Sequence, residues 1–222
     1  MNTLPNQIPE PPYDMVMPGI YGLMLAANFV VLALVMVWIV KEARRTHSAI
    51  PLLIMAGATV ASLTECLWDV LGAVWYPQNG HTPMYPIFNV SVPLWMLAAY
   101  PCYLGGQGYW VYKRLNEGMT MTQLWKFYAF AWCSNFLLEI PVLQLGVYVY
   151  HGPQPFEVFG FPLWQAMGNS LMPILIGAMV FAWRDIFAGV RGLMLLLMVP
   201  VTQVLALGGV GWPTWLAINS GH

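Results

Sequence analysis

Glu65 and Asp69 stand one helical turn apart inside the run ECLWDVLGAVWY, and Glu139 stands in a second apolar run, EIPVLQLGVYVY. A carboxyl group in the middle of a membrane costs about 2.5 to 3.5 kcal/mol even on the mildest insertion scale, so its default reading is functional. A dry carboxylic acid can protonate an alkene, an epoxide or a hydroxyl, and a neighbouring carboxylate can take the proton back at the end. The same groups can relay protons during transport. Structural roles compete with both. Glu65 and Asp69 can hydrogen-bond neighbouring helices, and Glu139 can satisfy the backbone carbonyl freed by the ring of Pro141.

Aromatic residues surround these acids. Trp68, Trp75, Tyr76, Trp132, Phe136, Tyr148, Tyr150, Phe161 and Trp164 lie on or beside the two acid-bearing segments, with Trp95 closing the motif that follows the first. Aromatic faces stabilise cations, which is what a carbocation intermediate needs. Trp68, Trp132 and Phe136 are expected in a pocket wall, whereas Tyr76, Tyr150 and Trp164 also fit an aromatic belt at the membrane interface. Asn89, Asn169 and Ser170 can orient a substrate oxygen or serve helix contacts. Gln144 and Gln203 are expected to be structural. The four histidines, His47, His81, His151 and His222, are scattered without ligand spacing, and the chain has neither a DDxxD pair nor a Walker-type glycine loop. No metal site and no cofactor is therefore expected, and chemistry begun by metal-assisted diphosphate loss is disfavoured.

The elements that must hold these residues follow from composition. Of 222 residues, 59% are apolar and 8% charged, against about 25% charged in an ordinary soluble domain. The chain is read as an integral membrane protein of the all-α class, a polytopic helical bundle of about six spans, placed at 17–40, 50–76, 86–111, 122–150, 161–183 and 191–211. Residues 1–16 read as an exposed, proline-rich tail without the basic start or apolar core of a signal peptide, and 17–222 as a single transmembrane domain. A net charge of −1 and basic residues that form no long cluster disfavour nucleic acid or an anionic surface as a principal partner. Membrane lipids and a lipid-like substrate are the expected partners, and nothing in the residues fixes an oligomeric state. Cys66, Cys102 and Cys133 are odd in number and lie in apolar segments, so no disulfide framework is expected.

All eight Lys and Arg residues fall at one side of this arrangement. Lys41, Arg44 and Arg45 lie in the first connection, Lys113, Arg114 and Lys126 flank the third, and Arg184 and Arg191 flank the fifth. Basic residues stay cytoplasmic, which places both termini outside the cytoplasm of a cell-membrane protein.

The acid-bearing segments also align with each other. Seven residues after each Glu stands a Gly, Gly72 or Gly146, and eleven after it a Tyr, Tyr76 or Tyr150; FNVSVPLW (Phe88 to Trp95) then matches FEVFGFPLW (Phe156 to Trp164). The alignment predicts a parallel repeat of two helical hairpins, units 60–105 and 134–177, about an axis near the membrane normal. At about 1.5 Å per residue, each Glu is expected roughly 16 Å below its interfacial Tyr.

The run from Glu139 to Trp164 resembles the polytopic membrane lycopene cyclases and related carotenoid hydratases, and LTECLWDVLGAVWYP resembles the acidic, aromatic second hairpin of small membrane-integral terpene cyclases from meroterpenoid pathways. The resemblance covers roughly residues 60 to 175. It implies a multi-helix protein that starts cation chemistry with a carboxylic acid and no metal, with Glu65 and Glu139 as the essential acids and Asp69 tuning the donor. Those families often carry a second acid in a later span and a seventh span. Here spans five and six offer no mid-membrane acid, and the chain is expected to be a six-span variant or a shortened seven-span fold. The expected function is proton-initiated cyclisation of an isoprenoid; the alternative is a small proton-coupled lipid or solute transporter, or a non-catalytic membrane-binding protein.

Overall fold

A computed structural model describes residues 10–87 and 90–220. The chain is mostly helical, and its helices form six rods. The first is α1 (Tyr21–Thr46). In the second, α2 (Ile50–Ala61) passes through a 3-10 turn into α3 (Glu65–Gly72). The third joins α4 (Met96–Tyr100), a π-helical turn (Pro101–Gly106) and α5 (Gln107–Asn116). The fourth and fifth are α6 (Met121–Gln144) and α7 (Leu163–Ala182). A 3-10 turn at Gly189–Met194 then leads into α8 (Leu195–Asn219).

Four rods are long and apolar enough to cross a membrane: Tyr21–Thr46, Ile50–Gly72, Leu163–Ala182 and Gly189–Asn219. The remaining two carry Gln107, Asn135 and Glu139, polar residues that dilute their apolarity and face an interior cavity. Around the rods, large apolar side chains such as Leu23, Val30, Leu34, Leu137, Leu197 and Leu216 point outward. Lipid is the solvent in which such a surface is stable.

The helices do not end where the apolar runs end. Ala73 turns left-handed at φ 53°, stopping the second rod four residues before the expected Tyr76. Residues 86–87 and 90–93, expected to open the third span, belong instead to a hairpin of β2 (Pro83–Ile87) and β3 (Val90–Pro93). The fourth rod stops at Gln144, so Tyr150 is not helical, and the sixth runs on past 211 to Asn219. β-Branched and aromatic residues around Pro83, Pro86 and Pro93 suit a short hairpin better than a helix interior.

These short strands form a layer at one end of the bundle. β1 (Val74–Trp75) pairs antiparallel with β4 (Val149–Tyr150), in the register Trp75↔Val149 and Val74↔Tyr150. β5 (Glu157–Val158) and β6 (Phe161–Pro162) form a second hairpin. Beneath it lies a core of Trp75, Tyr76, Val92, Val147, Tyr148 and Phe161, while a second core of Ile54, Ala58, Leu104, Ile176, Leu195 and Val199 fills the opposite, basic end.

In that basic-end core α7 lies between α5 and α8. The approach of α5 and α7 depends on glycine, since a Cβ on Gly177 would stand 2.5 Å from the Val111 side chain and one on Gly108 2.7 Å from Ile176. α1 is held differently. Its Glu42 accepts from Tyr109 at 2.9 Å and pairs with Lys113 at 3.2 Å, pinning its basic end to α5, while Tyr21 donates to the Thr82 carbonyl at 3.0 Å at the other end.

Candidate functional site

The left-handed turn at Ala73 has a direct consequence for the acids. Instead of standing about 16 Å away at an interface, Tyr76 is folded back under α3, and its hydroxyl donates to Glu65 Oε1 at 3.1 Å. Tyr100, on α4, donates to the other carboxylate oxygen, Oε2. Glu65 thus has a phenol on each oxygen. Behind Tyr100 the polarity continues: the Gln203 amide of α8 donates to the Tyr100 hydroxyl at 2.8 Å, Thr64 donates to Gln203 Oε1 at 3.1 Å, and the Trp68 indole donates to Thr64 at 2.9 Å. Residues from the second, third and sixth rods thereby fix one carboxyl group.

Asp69 is one turn from Glu65, 2% exposed, and its Oδ2 has no hydrogen-bond partner among the described residues. Glu139 comes from α6. No side chain among the described residues donates to it. Four residues before it, on the same helical face, Asn135 begins an amide ladder: its Nδ2 donates to Tyr103 at 2.8 Å, its Oδ1 accepts from Asn169 at 3.3 Å, and Asn169 Oδ1 accepts from Gln165 at 3.0 Å. Buried amides are costly unless paired, and this set is paired within itself.

All three carboxyls open into one cavity of about 510 Å³. Trp68, Tyr76, Trp95, Tyr150 and Asn169 line it, as do Tyr100, Tyr103, Gln107, Asn135 and Tyr148. The π turn at Pro101–Gly106 lies between Tyr100 and Gln107, an irregularity of a kind that recurs at functional sites. Val31 of α1 and Leu138 of α6 also line the cavity, yet are 48% and 61% exposed. A residue that is both lining and exposed marks an opening, so the cavity reaches the apolar flank of the bundle between α1 and α6.

Three residues expected in the pocket stand behind it. The cavity-facing stripe of α6 is Asn135, Leu138, Glu139 and Val142, which leaves Phe136 on the flank, packed against Phe161 at 5.3 Å and Trp132 at 4.8 Å. Trp164 donates to Gln154 Oε1 at 3.2 Å and packs edge-on against Trp215 at 6.1 Å. Asn89 lies outside the described residues. Tyr100, Tyr103, Gln107 and Asn135 were missed from sequence. Asn135 had a signal, its i to i+4 spacing from Glu139, whereas Tyr100 looks like any interfacial tyrosine until α4 is packed against α3.

The arrangement can do acid–base chemistry on an apolar molecule. It offers an unpaired carboxyl (Glu139), a carboxyl held by two phenols (Glu65), a third acid beside it (Asp69) and aromatic faces between them. The chain matches no family model, no curated protein and no solved structure.

Proposed function

We propose that the protein is a membrane-embedded, isoprenoid-transforming enzyme that begins a cyclisation by protonating its substrate from a buried carboxylic acid. One observation carries this reading: Glu65 and Asp69 of α3 and Glu139 of α6 share a single aromatic cavity that opens to the bundle's apolar flank.

In this mechanism Glu139 is the acid. Without a donor to balance a charge, its own hydroxyl is free to face a substrate alkene or epoxide, and transfer of that proton leaves a carbocation in the substrate. Trp68, Trp95 and Tyr150 present aromatic faces to the cation. Glu65, whose charge Tyr76 and Tyr100 stabilise, accepts the proton released when the final double bond forms. The net reaction is an isomerisation, and Asp69, beside Glu65, completes a path for returning the proton. No metal or cofactor enters the scheme.

The bundle is proposed to span the membrane six times, the third and fourth rods crossing with their polar residues turned to the cavity. It is further proposed to be a parallel repeat. The β1–β4 register supports this, since Trp75 and Val149 occupy equivalent positions, each ten residues after its Glu, and face each other as a two-fold axis would require. Each unit also passes through a hairpin, β2–β3 or β5–β6, into the helix at PLW. Both termini are proposed to lie on the non-cytoplasmic side, a reading supported by the basic residues gathered at the other end of the spans.

Expression in an isoprenoid-producing host, with mass spectrometry of the lipid extract, tests the reading. A product made by the wild type and lost in Glu139→Gln and Glu65→Gln is the expected result; intact product formation in both folded variants overturns it. The paired repeat with acids between its halves also fits a proton-coupled transporter. That reading takes over if proteoliposomes show proton uptake tied to solute flux and no new product appears.

A further inference from the structure

The third and fourth rods are consecutive in the chain, yet both pack chiefly on α7 rather than on each other. A groove of about 880 Å³ remains between them, bridged by Trp110 of α5 stacked on Phe127 of α6 with centroids 4.7 Å apart. Its chemistry changes along its length. At the basic end of the bundle Arg114 and Lys126 line it, while deeper down it is lined by Trp110, Phe127 and Phe130, the last 68% exposed. Arg114 stands over the Trp110 ring, 6.0 Å from its centroid, and shares its charge with Glu117 at 2.6 Å. Lys126 makes no ion pair among the described residues.

We propose that this groove binds an anionic phospholipid, its phosphate between Arg114 and Lys126 and its acyl chains laid over Trp110, Phe127 and Phe130. The match is one of charge and depth. Arg114 lies in the last turn of α5 and Lys126 in the second turn of α6, the level of the head groups, and the aromatic floor runs inward from Phe127, beside Lys126, to Trp110 and Phe130 one turn further in, the level of the chains. A zwitterionic lipid presents its own cation beside the phosphate and gains less from the pair, and a soluble anion gains nothing from the floor. Juxtamembrane cations between helices attract anionic head groups in this way. The groove adjoins the acid cavity at Gln107, which lines both, but the proposal uses none of the acid chemistry and rests only on the bundle lying in a bilayer.

The test uses the full chain in nanodiscs of equimolar dioleoylphosphatidylglycerol and dioleoylphosphatidylcholine, released for native mass spectrometry to count retained lipids. The wild type is expected to retain phosphatidylglycerol in preference. The Arg114→Gln/Lys126→Gln pair should cut that preference about tenfold or more, and Lys41→Gln, at the exposed end of α1, should leave it unchanged. Because Arg114 has partners in the fold, Lys126→Gln alone provides the safeguard: its preference should fall severalfold in protein that melts at the wild-type temperature. No preference in the wild type, or an undiminished preference in the double variant or in folded Lys126→Gln, overturns the proposal.

Discussion

Glu65 and Glu139 occupy equivalent positions in the aligned segments but differ in what reaches them. Two phenols donate to Glu65, and no side chain among the described residues donates to Glu139. If Glu139 gives the proton and Glu65 receives it, their supporting residues should fail differently. Glu139→Gln removes the transferable proton and is expected to lower turnover about 10²- to 10⁴-fold, the usual contribution of a positioned acid. Tyr100→Phe and Tyr76→Phe leave both carboxyls in place and remove one stabilising donor each, with an expected loss of about tenfold or more in turnover and little change in substrate affinity. Single-turnover rates of the three variants decide the assignment, and a Tyr100→Phe enzyme with wild-type turnover removes the phenols from the mechanism. Asp69 was visible as an acid from sequence, but its unpartnered Oδ2 was not, because an orphan is defined by what the rest of the fold fails to bring.

Among the elements, the hairpin layer was the largest surprise. Hydropathy joined 86–95 to the third span because the apolar run is continuous there, although Pro86 and Pro93 lie within it. The layer has its own pH dependence. His81 lies in it with Nε2 3.1 Å from Ser91 Oγ, and His151 donates its backbone N–H to the Ala73 carbonyl at 2.8 Å. Burial holds both imidazoles below their ordinary value of 6.5. Their folded forms therefore stay neutral while the unfolded chain takes up protons, so stability is present above about pH 6.5 and falls as the pH drops below it. Melting temperature measured between pH 7.5 and 5.5 in one detergent should decline in the wild type and decline less in His81→Gln/His151→Gln. Equal slopes would assign the acid sensitivity elsewhere.

At the scale of the whole molecule, the rods enclose a cavity that opens sideways rather than along the bundle axis. An apolar substrate is then expected to enter from the bilayer between α1 and α6. Val31→Cys with Leu138→Cys, bridged by a bifunctional thiol reagent in a background with Cys66, Cys102 and Cys133 replaced, should block turnover reversibly; full activity in the bridged protein excludes this route. The sequence by itself determined the apolar rods, the gathering of basic residues at one end and the three acids to watch, because hydropathy, charge and spacing are sums over neighbouring residues. The tertiary structure alone decided the rest. Ala73 turned the chain and brought Tyr76 back to Glu65, α8 delivered Gln203 to Tyr100 from 103 residues away, and the face that α6 turns to the cavity set Asn135 and Glu139 inside while leaving Phe136 and Trp132 behind the wall. These contacts join residues far apart in the chain, and their energies depend on which surfaces meet, a quantity that no local window of sequence contains.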